Sequence, residues 1–255
     1  MLVRLNGEIM EYKNILEGKF IKRPNRFIAE VEIEGKKEIA HVKNTGRCKE
    51  LLKEGAKIYL EDFRNNMGTR KTAFDLISVE KETESGSLLI NMDSQVPNKV
   101  IKESLENRRL ILEGIQEKLI VIKPEQKYGD SRFDFYFKTE MNEGFIEVKG
   151  VTLENDGLVE FPDAPTIRGL KHINELIKAK EEGYLAYIIF LIQMEKAKTF
   201  KANEKTHKEF AEALEKAKEK GVEIMAFNCK VTETSIKLLE KVEIKINTSI
   251  IIPKE

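Results

Sequence analysis

The hydrophobic pattern of the chain changes character near residue 80. Before that point, short runs that alternate apolar and polar residues are separated by Gly, Asn and charged residues. Short strands at such spacing are typical of a small antiparallel barrel. The pattern predicts strands over 18–21, 26–33, 39–42, 56–62 and 72–79. A short helical segment over 47–53 interrupts them, which fits an OB-like barrel, although an SH3-like barrel would give nearly the same pattern.

The pattern after residue 86 predicts an α/β domain. Segment 81–86 has the composition of a linker, so we expect one domain over 1–82 and a second over 83–255. Helices are predicted over 97–107, 166–180 and 203–220. Strands are predicted over 119–122, around 134 and 147, over 185–192, over 223–227 and near 242–246. This order places a mixed sheet between helices, so the fold class is a two-domain α+β and α/β protein with an antiparallel barrel first.

Composition and charge limit the possible functions. The 255 residues carry 44 Lys and Arg against 44 Asp and Glu, a formal net charge of zero, so nucleic-acid binding requires local clusters of positive charge. Charged residues interrupt the first twenty positions, and no segment approaches the ~20 apolar residues of a membrane span. We therefore expect a cytoplasmic protein with no membrane partner. Cys48 and Cys229 have no Cys or His at zinc-ligand spacing, which predicts two reduced thiols.

The segment with the clearest candidate chemistry is Ser131 to Phe135, followed by Gly144 to Gly150. Strand alternation would place three phenylalanines on one face: Phe133, Phe135 and Phe137. Asp134 then takes the other face, and on the partner strand Glu147 and Lys149 also share a face. The sequence therefore predicts that Asp134, Glu147 and Lys149 lie together.

Such a trio suits phosphodiester hydrolysis. Two carboxylates can hold Mg²⁺ (or Mn²⁺), which keeps several waters and polarises a phosphoryl oxygen. A nearby ammonium can orient or deprotonate the attacking water and offset developing charge. The alternative is a hairpin with a solvated face, in which Glu147 and Lys149 are ordinary surface residues.

Several strings along the chain resemble one family. In order, they are RPNRF at 23–27, HVKNTGR at 41–47, ELL at 50–52, RKT at 70–72, SRFDF at 131–135, EVKGVTL at 147–153, FPDAPT at 161–166, RG at 168–169 and KH at 171–172. Together they resemble the bacterial and archaeal sugar fermentation stimulation protein family over nearly the whole chain.

The resemblance implies an OB-like domain joined to a domain similar to the PD-(D/E)XK nuclease superfamily, with DNA binding as the family's usual description. The superfamily's metal-binding acid falls on Asp134, its second acid on Glu147 and its lysine on Lys149. Phe133 stands where that motif has proline, which supplies backbone shape and no ligand. Glu103, on the helix before the sheet, matches the position of a further metal-binding acid in some members.

Two clusters in the barrel are candidate nucleic-acid contacts. Arg23 and Arg26 lie among lysines and phenylalanines, which suits a surface that follows phosphates and stacks bases. A solvated edge strand explains them equally well. Asn44 and Arg47 lie at a turn before the expected helix start, where a phosphate could bind. Helix capping by Asn44 or Thr45 would account for the same residues.

The third candidate contact is the pair Arg168 and His172. They lie four residues apart on a predicted helix and so share a face, from which they could contact a phosphate or assist proton transfer. A structural hydrogen bond is the alternative for His172. The preferred function is a DNA-binding protein with a metal-dependent nuclease site, and the alternative is a non-catalytic DNA-binding regulator of sugar metabolism. A protein-interaction module is a third, weaker possibility.

Overall fold

The computed structural model describes residues 10–44, 46–84 and 86–246. Its N-terminal part contains seven strands: β1 (Met10–Glu11), β2 (Ile15–Asn25), β3 (Ile28–Ile33), β4 (Lys36–Val42), β5 (Lys57–Asp62), β6 (Phe74–Thr83) and β7 (Gly86–Asn91). Strands β2 to β7 form one sheet in the order β4-β3-β2-β5-β6-β7, and β4 also pairs with β6 in parallel. That extra pairing closes the sheet into the antiparallel OB barrel that the alternating pattern predicts.

The helix expected over 47–53 is absent from the described part of the barrel. The backbone N–H of Leu52 donates to the carbonyl of Cys48 at 2.9 Å, but the segment forms only a hydrogen-bonded turn. Cys48 has a φ of +47°, in the left-handed region, which a right-handed helix does not accommodate. The helical expectation is therefore wrong, and the segment is a connection between β4 and β5.

The C-terminal part contains three helices and ten strands among its described residues. They are α1 (Val96–Glu106), β8 (Val121–Tyr128), β9 (Ser131–Lys138), β10 (Glu143–Val151), β11 (Leu153–Asn155), β12 (Leu158–Phe161), α2 (Ile167–Glu181), β13 (Leu185–Ile192), β14 (Thr199–Ala202), α3 (Lys208–Glu219), β15 (Glu223–Val231), β16 (Ser235–Lys241) and β17 (Glu243–Lys245). A seven-stranded sheet has the order β1-β16-β15-β13-β10-β9-β8, and a smaller one has β11-β12-β14-β17.

The large sheet is mixed, as predicted. Strands β10, β13 and β15 are parallel, while β8, β9, β16 and β1 pair antiparallel. Strand β13 has the sequence LAYIIFLI and is buried along nearly its whole length, because apolar residues cover both of its faces. The apolar faces of α2 and α3 pack on one side of the sheet, through residues such as Leu176 and Leu214, and α1 packs on the other through Val100.

The two parts of the chain interlock at the expected domain boundary. Strand β7 pairs with β6 through Val79 and Ile90, so the barrel sheet extends to Asn91. The boundary expected between 82 and 83 therefore lies within the β6–β7 hairpin, and Ser85 of the expected linker lies outside the described residues. In addition, β1 pairs with β16, so residues 10–11 belong to the large sheet of the second domain.

Two further observations concern cysteines and membranes. Cys48 and Cys229 are both buried free thiols, as predicted, and burial raises the pKa of Cys48 to about 12. Across residues 10–44, 46–84 and 86–246, no helix is long and apolar enough to cross a membrane.

Candidate active site

The candidate site lies where β9 and β10 separate. The antiparallel pairing of these strands ends at Ile146 and Phe135. At the next position of β9, the carboxylate Oδ2 of Asp134 accepts the backbone N–H of Val148 at 2.7 Å, in place of a strand carbonyl. The other oxygen, Oδ1, accepts the side-chain amide of Asn98 on α1 at 2.7 Å. Asp134 is therefore held at the fork by one bond to each flanking element.

The separation of the strands also alters the expected alternation of the phenylalanines. Phe135 and Phe137 pack in the core on the α1 side of the sheet. Phe133 instead contacts Phe145, with ring centroids 5.2 Å apart, and lies edge-on to the ring of His172 on α2. The expectation that all three share one face is thus wrong for Phe133, because regular pairing with β10 ends at the fork.

Glu147 is the most deeply buried acid of the site, with 2% of its surface exposed. Its Oε1 contacts both the ammonium of Lys149 and the Nδ1 of His172. Its Oε2 is buried and has no hydrogen-bond partner in the part of the chain that the structure describes. Buried carboxylate oxygens are normally satisfied, so this oxygen is available to a ligand.

The two acids have opposite pKa shifts. Burial, and then the negative charge of Glu147, raise the pKa of Asp134 to about 6 against the opposing effect of the Val148 N–H. Burial also raises the pKa of Glu147, but the His172 hydrogen bond and the Lys149 charge outweigh it, so the net shift is downward. The charge of Glu147 makes ionisation of Asp134 costly, and a bound cation would relieve that cost.

The donor set fits a hard divalent ion. Mg²⁺ is usually bound by one or two carboxylates and keeps several of its waters. Among the described residues there is no group of three His, Cys, Asp or Glu side chains placed to hold an ion, so a complete protein cage is absent. The two acids and the unpartnered Oε2 of Glu147 therefore suit Mg²⁺ or Mn²⁺ better than a four-coordinate zinc ion.

Glu103, the expected third acid, has a basic partner of its own. It lies on α1 five residues after Asn98, which is about 140° around the helix. Its carboxylate forms an ion pair with Arg109 at 4.0 Å. The helix contributes Asn98 to Asp134, and the described residues hold no group of three side chains placed to bind an ion, so a metal-binding role for Glu103 stays a prediction.

Arg168 and His172 share a face of α2, as expected. The Nε–H of Arg168 points to Nε2 of His172 at 3.5 Å, while Nδ1 of His172 contacts Glu147. The two ring nitrogens of His172 thus face different partners, Arg168 and Glu147. His172 therefore orients the Glu147 carboxylate, and the exposed Arg168 extends the site toward solvent.

Arg23 contacts the protein backbone and does not form the surface contact that the sequence suggested. Its guanidinium donates to four backbone carbonyl oxygens at 2.6 to 3.0 Å: those of Arg26, Asn44, Gly46 and Arg47. These bonds use the donors that a phosphate would need, so Arg23 organises the loop around residues 44–47 and is not free for nucleic acid. Arg26 is exposed and lies 4.6 Å from the ring centre of Phe27, which is itself 44% exposed.

The loop that contains Asn44 and Arg47 attaches the barrel to the second domain. Asn44 Oδ1 accepts the backbone N–H of Gly46 at 2.8 Å, and the backbone N–H of Arg47 donates to Asp163 at 2.9 Å. No helix follows in the described residues, so helix capping does not explain these side chains, and Thr45 lies outside the described residues. The side chain of Arg47 is exposed. Asn44 lines a cleft of about 190 Å³ that reaches Gly150 beside Lys149.

Two amides of the site, the half-buried Asn98 and the buried Gln193, carry no motif in the sequence. Asn98 supports Asp134 as described, and Gln193 follows β13 and is almost fully buried. The Gln193 side-chain amide donates to Asn91 Oδ1 at 2.9 Å and to the carbonyl of Asp93 at 3.1 Å. A Cβ at Gly150 would lie 2.5 Å from Gln193 Oε1, so the glycine allows this close approach. Their hydrogen-bond partners could be found only from the three-dimensional contacts.

Comparisons with known proteins agree with this architecture. A family model described as the SfsA N-terminal OB domain matches residues 21–90, and one described as the sugar fermentation stimulation protein RE domain matches residues 95–235. A sugar fermentation stimulation protein homolog of Clostridium beijerinckii is 54% identical over 235 residues, covering 92% of this chain and 99% of the relative. One of Desulfitobacterium hafniense is 52% identical, covering 93% and 99%.

A solved structure is similar as well. The structure of Pyrococcus furiosus SfsA in complex with Ca²⁺ matches with a TM-score of 0.81 at 29% identity, covering 94% of this chain and 99% of that one. The family models, the relatives and the fold agree in domain order and extent. The chain belongs to the sugar fermentation stimulation (SfsA) protein family, with an N-terminal OB domain followed by a mixed-sheet α/β domain.

Proposed function

We propose that this protein is a divalent-metal-dependent nuclease that binds DNA and hydrolyses its phosphodiester bonds. The observation that carries the proposal is that Asp134 accepts the N–H of Val148, the residue next to Glu147, while Glu147 Oε2 is buried with no partner among the described residues. The solved Pyrococcus furiosus SfsA is a Ca²⁺ complex, which supports a divalent cation as the ligand of this family. OB folds commonly bind oligonucleotides, which supports a nucleic-acid substrate.

Each residue of the site has a role in this proposal. Asp134 and Glu147 would hold Mg²⁺ or Mn²⁺, which when bound polarises a phosphoryl oxygen and acidifies water. Lys149, beside Glu147, would orient the attacking water and offset the negative charge that develops on the phosphate. His172 holds Oε1 of Glu147, which leaves Oε2 for the ion, and Asn98 fixes the other acid.

The barrel would hold the nucleic acid strand. Arg26 and Phe27 form an exposed cation and aromatic pair, of the kind on which a base stacks while its phosphate is neutralised. The exposed Arg47 lies on the loop that contacts the second domain through Asp163. Gly46, the neighbour of Arg47, lines the cleft that reaches Gly150, so a strand bound along this loop would approach the site.

The test is cleavage of a panel of single-stranded, double-stranded and branched DNA and RNA in Mg²⁺ or Mn²⁺. Asp134→Asn and Lys149→Ala should abolish cutting and retain binding. Asp156→Asn, which removes an exposed acid remote from the fork, is the matched control and should cut like the parent. If no member of the panel is cut, or if Asp134→Asn cuts as well as the parent, the enzyme assignment is lost.

The second candidate function is a DNA-binding regulator of sugar metabolism whose site does not cut. The contact between Lys149 and Glu147 favours it, because an ammonium paired with the carboxylate is less available to water. Binding of DNA by the parent with no cleavage in either metal would support this candidate.

A further inference from the structure

A group of basic side chains lies beside the candidate site, on α2 and the β8–β9 hairpin. Four exposed side chains line an open pocket of about 400 Å³: Lys127, Arg132, Arg168 and Lys171. Ser131 and His172 also line it, and Asp130 is the one acid among its lining residues. We call this the basic pocket.

The charges of the basic pocket are poorly compensated. Lys127 and Arg132 lie directly opposite each other in the β8–β9 ladder, and like charges in such a pair are destabilising. Arg132 has only a 3.9 Å contact with Glu125, and both side chains are exposed. The ammonium of Lys171 donates to the backbone carbonyl of Asp130 at 2.8 Å. Within the described ranges, no carboxylate lies within 4.0 Å of the Lys127 or Lys171 ammonium.

A second observation points to a ligand with acceptor oxygens. Ser131 is 6% exposed, and its hydroxyl Oγ is buried with no hydrogen-bond partner in the described structure. Hydroxyl groups so deeply buried are normally bonded. An anion in the basic pocket would supply an acceptor to Ser131 and a counter-charge to the opposed Lys127 and Arg132.

The pocket adjoins the candidate active site. His172 lines the basic pocket, and its Nδ1 contacts Glu147. Arg168 joins the two regions through its contact with His172 Nε2. A group bound in the pocket would therefore lie one side chain away from the Glu147 carboxylate.

We propose that the basic pocket binds a phosphate group of the nucleic acid strand, next to the phosphodiester that is cut. Its identification as a nucleic-acid phosphate rests on the proposed function. Arginine recognises phosphate with paired N–H donors, and lysine acts as a point charge, so the pocket offers both kinds of contact. The phosphate is either an internal link of the strand or a terminal monoester, and the experiment separates these sources.

The experiment measures binding in the Asp134→Asn background, so that cutting does not interfere. Lys127→Gln with Lys171→Gln is compared with Lys216→Gln with Lys218→Gln, a matched pair of exposed lysines on α3. Fluorescence anisotropy is recorded over a salt series with three single-stranded DNA probes of one sequence: 5′-phosphorylated linear, 5′-hydroxyl linear and circular. Circular dichroism checks that each variant is folded.

We expect the pocket pair to weaken binding at least tenfold and to reduce the slope of log K against log salt by about 0.7, the value for one lost phosphate contact on a single strand. The α3 pair should bind each probe as tightly as the Asp134→Asn protein does. Loss with all three probes identifies an internal phosphate, and loss confined to the 5′-phosphorylated probe identifies a terminal one.

The proposal is overturned if the pocket pair binds every probe as tightly, and with the same salt slope, as the α3 pair. It is also overturned if the Asp134→Asn protein binds none of the probes. Because binding is measured without cutting, the test of the basic pocket can be interpreted even if the parent protein never cleaves. If the parent cleaves but the pocket pair binds normally, the phosphate-binding role of the basic pocket is contradicted and the proposed nuclease function is not.

Discussion

His172 on α2 donates its Nδ1–H to the same carboxylate oxygen of Glu147 that contacts Lys149. Helix and strand are thus joined at the acid itself, and the second oxygen of Glu147 is left without a partner among the described residues. The orientation of the carboxylate is set by side chains 2 and 25 positions away in sequence.

Replacing His172 with alanine should destabilise the fold. The buried Glu147 carboxylate would lose a hydrogen-bond donor, and an incompletely satisfied buried charge costs about 2 kcal/mol. His172→Gln retains an N–H donor and should lose less. Urea denaturation of the metal-free protein near pH 7.5 measures the free energy of unfolding. An alanine variant as stable as the parent would show that the imidazole does not support the carboxylate.

Asp134→Asn should stabilise the metal-free protein at neutral pH. The folded-state pKa of Asp134 is about 6, above the value of about 3.9 in an unfolded chain. Its contribution to stability is therefore fully present below about pH 4 and is lost as the pH rises through about 6. The advantage of the asparagine variant should grow by about 2 kcal/mol between pH 4.5 and 7.5, measured by urea denaturation in EDTA.

Divalent ions should favour the parent over Asp134→Asn in stability. A ligand that binds only the folded state raises its stability, so excess Mn²⁺ should raise the melting temperature of the parent and leave that of Asp134→Asn unchanged. A pH-independent difference between the two proteins in EDTA would contradict the raised pKa of Asp134. An equal Mn²⁺ effect on both would contradict its role as a ligand.

Substitutions of Arg23 and Arg26 should have different effects: the first should lower stability, and the second should weaken nucleic-acid binding. Arg23→Lys keeps the charge but removes most of the donors to the four carbonyls of the loop, so we expect a loss of about 2 kcal/mol in the free energy of unfolding. Arg26→Ala should change stability by less than about 0.5 kcal/mol and weaken oligonucleotide binding. Denaturation and anisotropy measurements on both variants test this, and the reverse pattern would assign Arg23 to the nucleic acid.

Lys43 should be essential to the junction between barrel and second domain. Its ammonium lies 2.9 Å from Asp93 and 3.2 Å from Asp75, and both acids are 1% exposed. Lys43→Met leaves these carboxylates without a shared counter-charge, which should cost about 3 kcal/mol. Lys57→Met removes solvent-accessible ion pairs with Glu17 and Glu80 and should change stability by about 1 kcal/mol at most. Similar losses in the two variants would contradict the assigned importance of Lys43.

The sequence predicts the elements with strong periodicity. The predicted strand over 185–192 matches β13 because eight consecutive residues are apolar or aromatic. The start of β8 is predicted at 119–122, but the strand continues to Tyr128 through Pro124 and Glu125, residues that argue against a strand. Strands β11, β12 and β14 have three or four residues each, which is too short for a periodic signal.

The motif in the sequence also points to the two acids and the lysine, since strand alternation and the family resemblance agree on these positions. The sequence could not indicate that Arg23 faces backbone carbonyls, because an arginine among aromatic residues has the same pattern whether it contacts protein or solvent. Nor could it indicate that Asn98 contacts Asp134, because that contact depends on the rotation of α1 against the fork.

The most direct test of the proposed metal site is anomalous diffraction from crystals of the parent protein soaked in Mn²⁺. We expect a peak between the carboxylates of Asp134 and Glu147, and no peak there in Asp134→Asn crystals treated in the same way. A parent crystal with full soaking and no peak at the fork would contradict it.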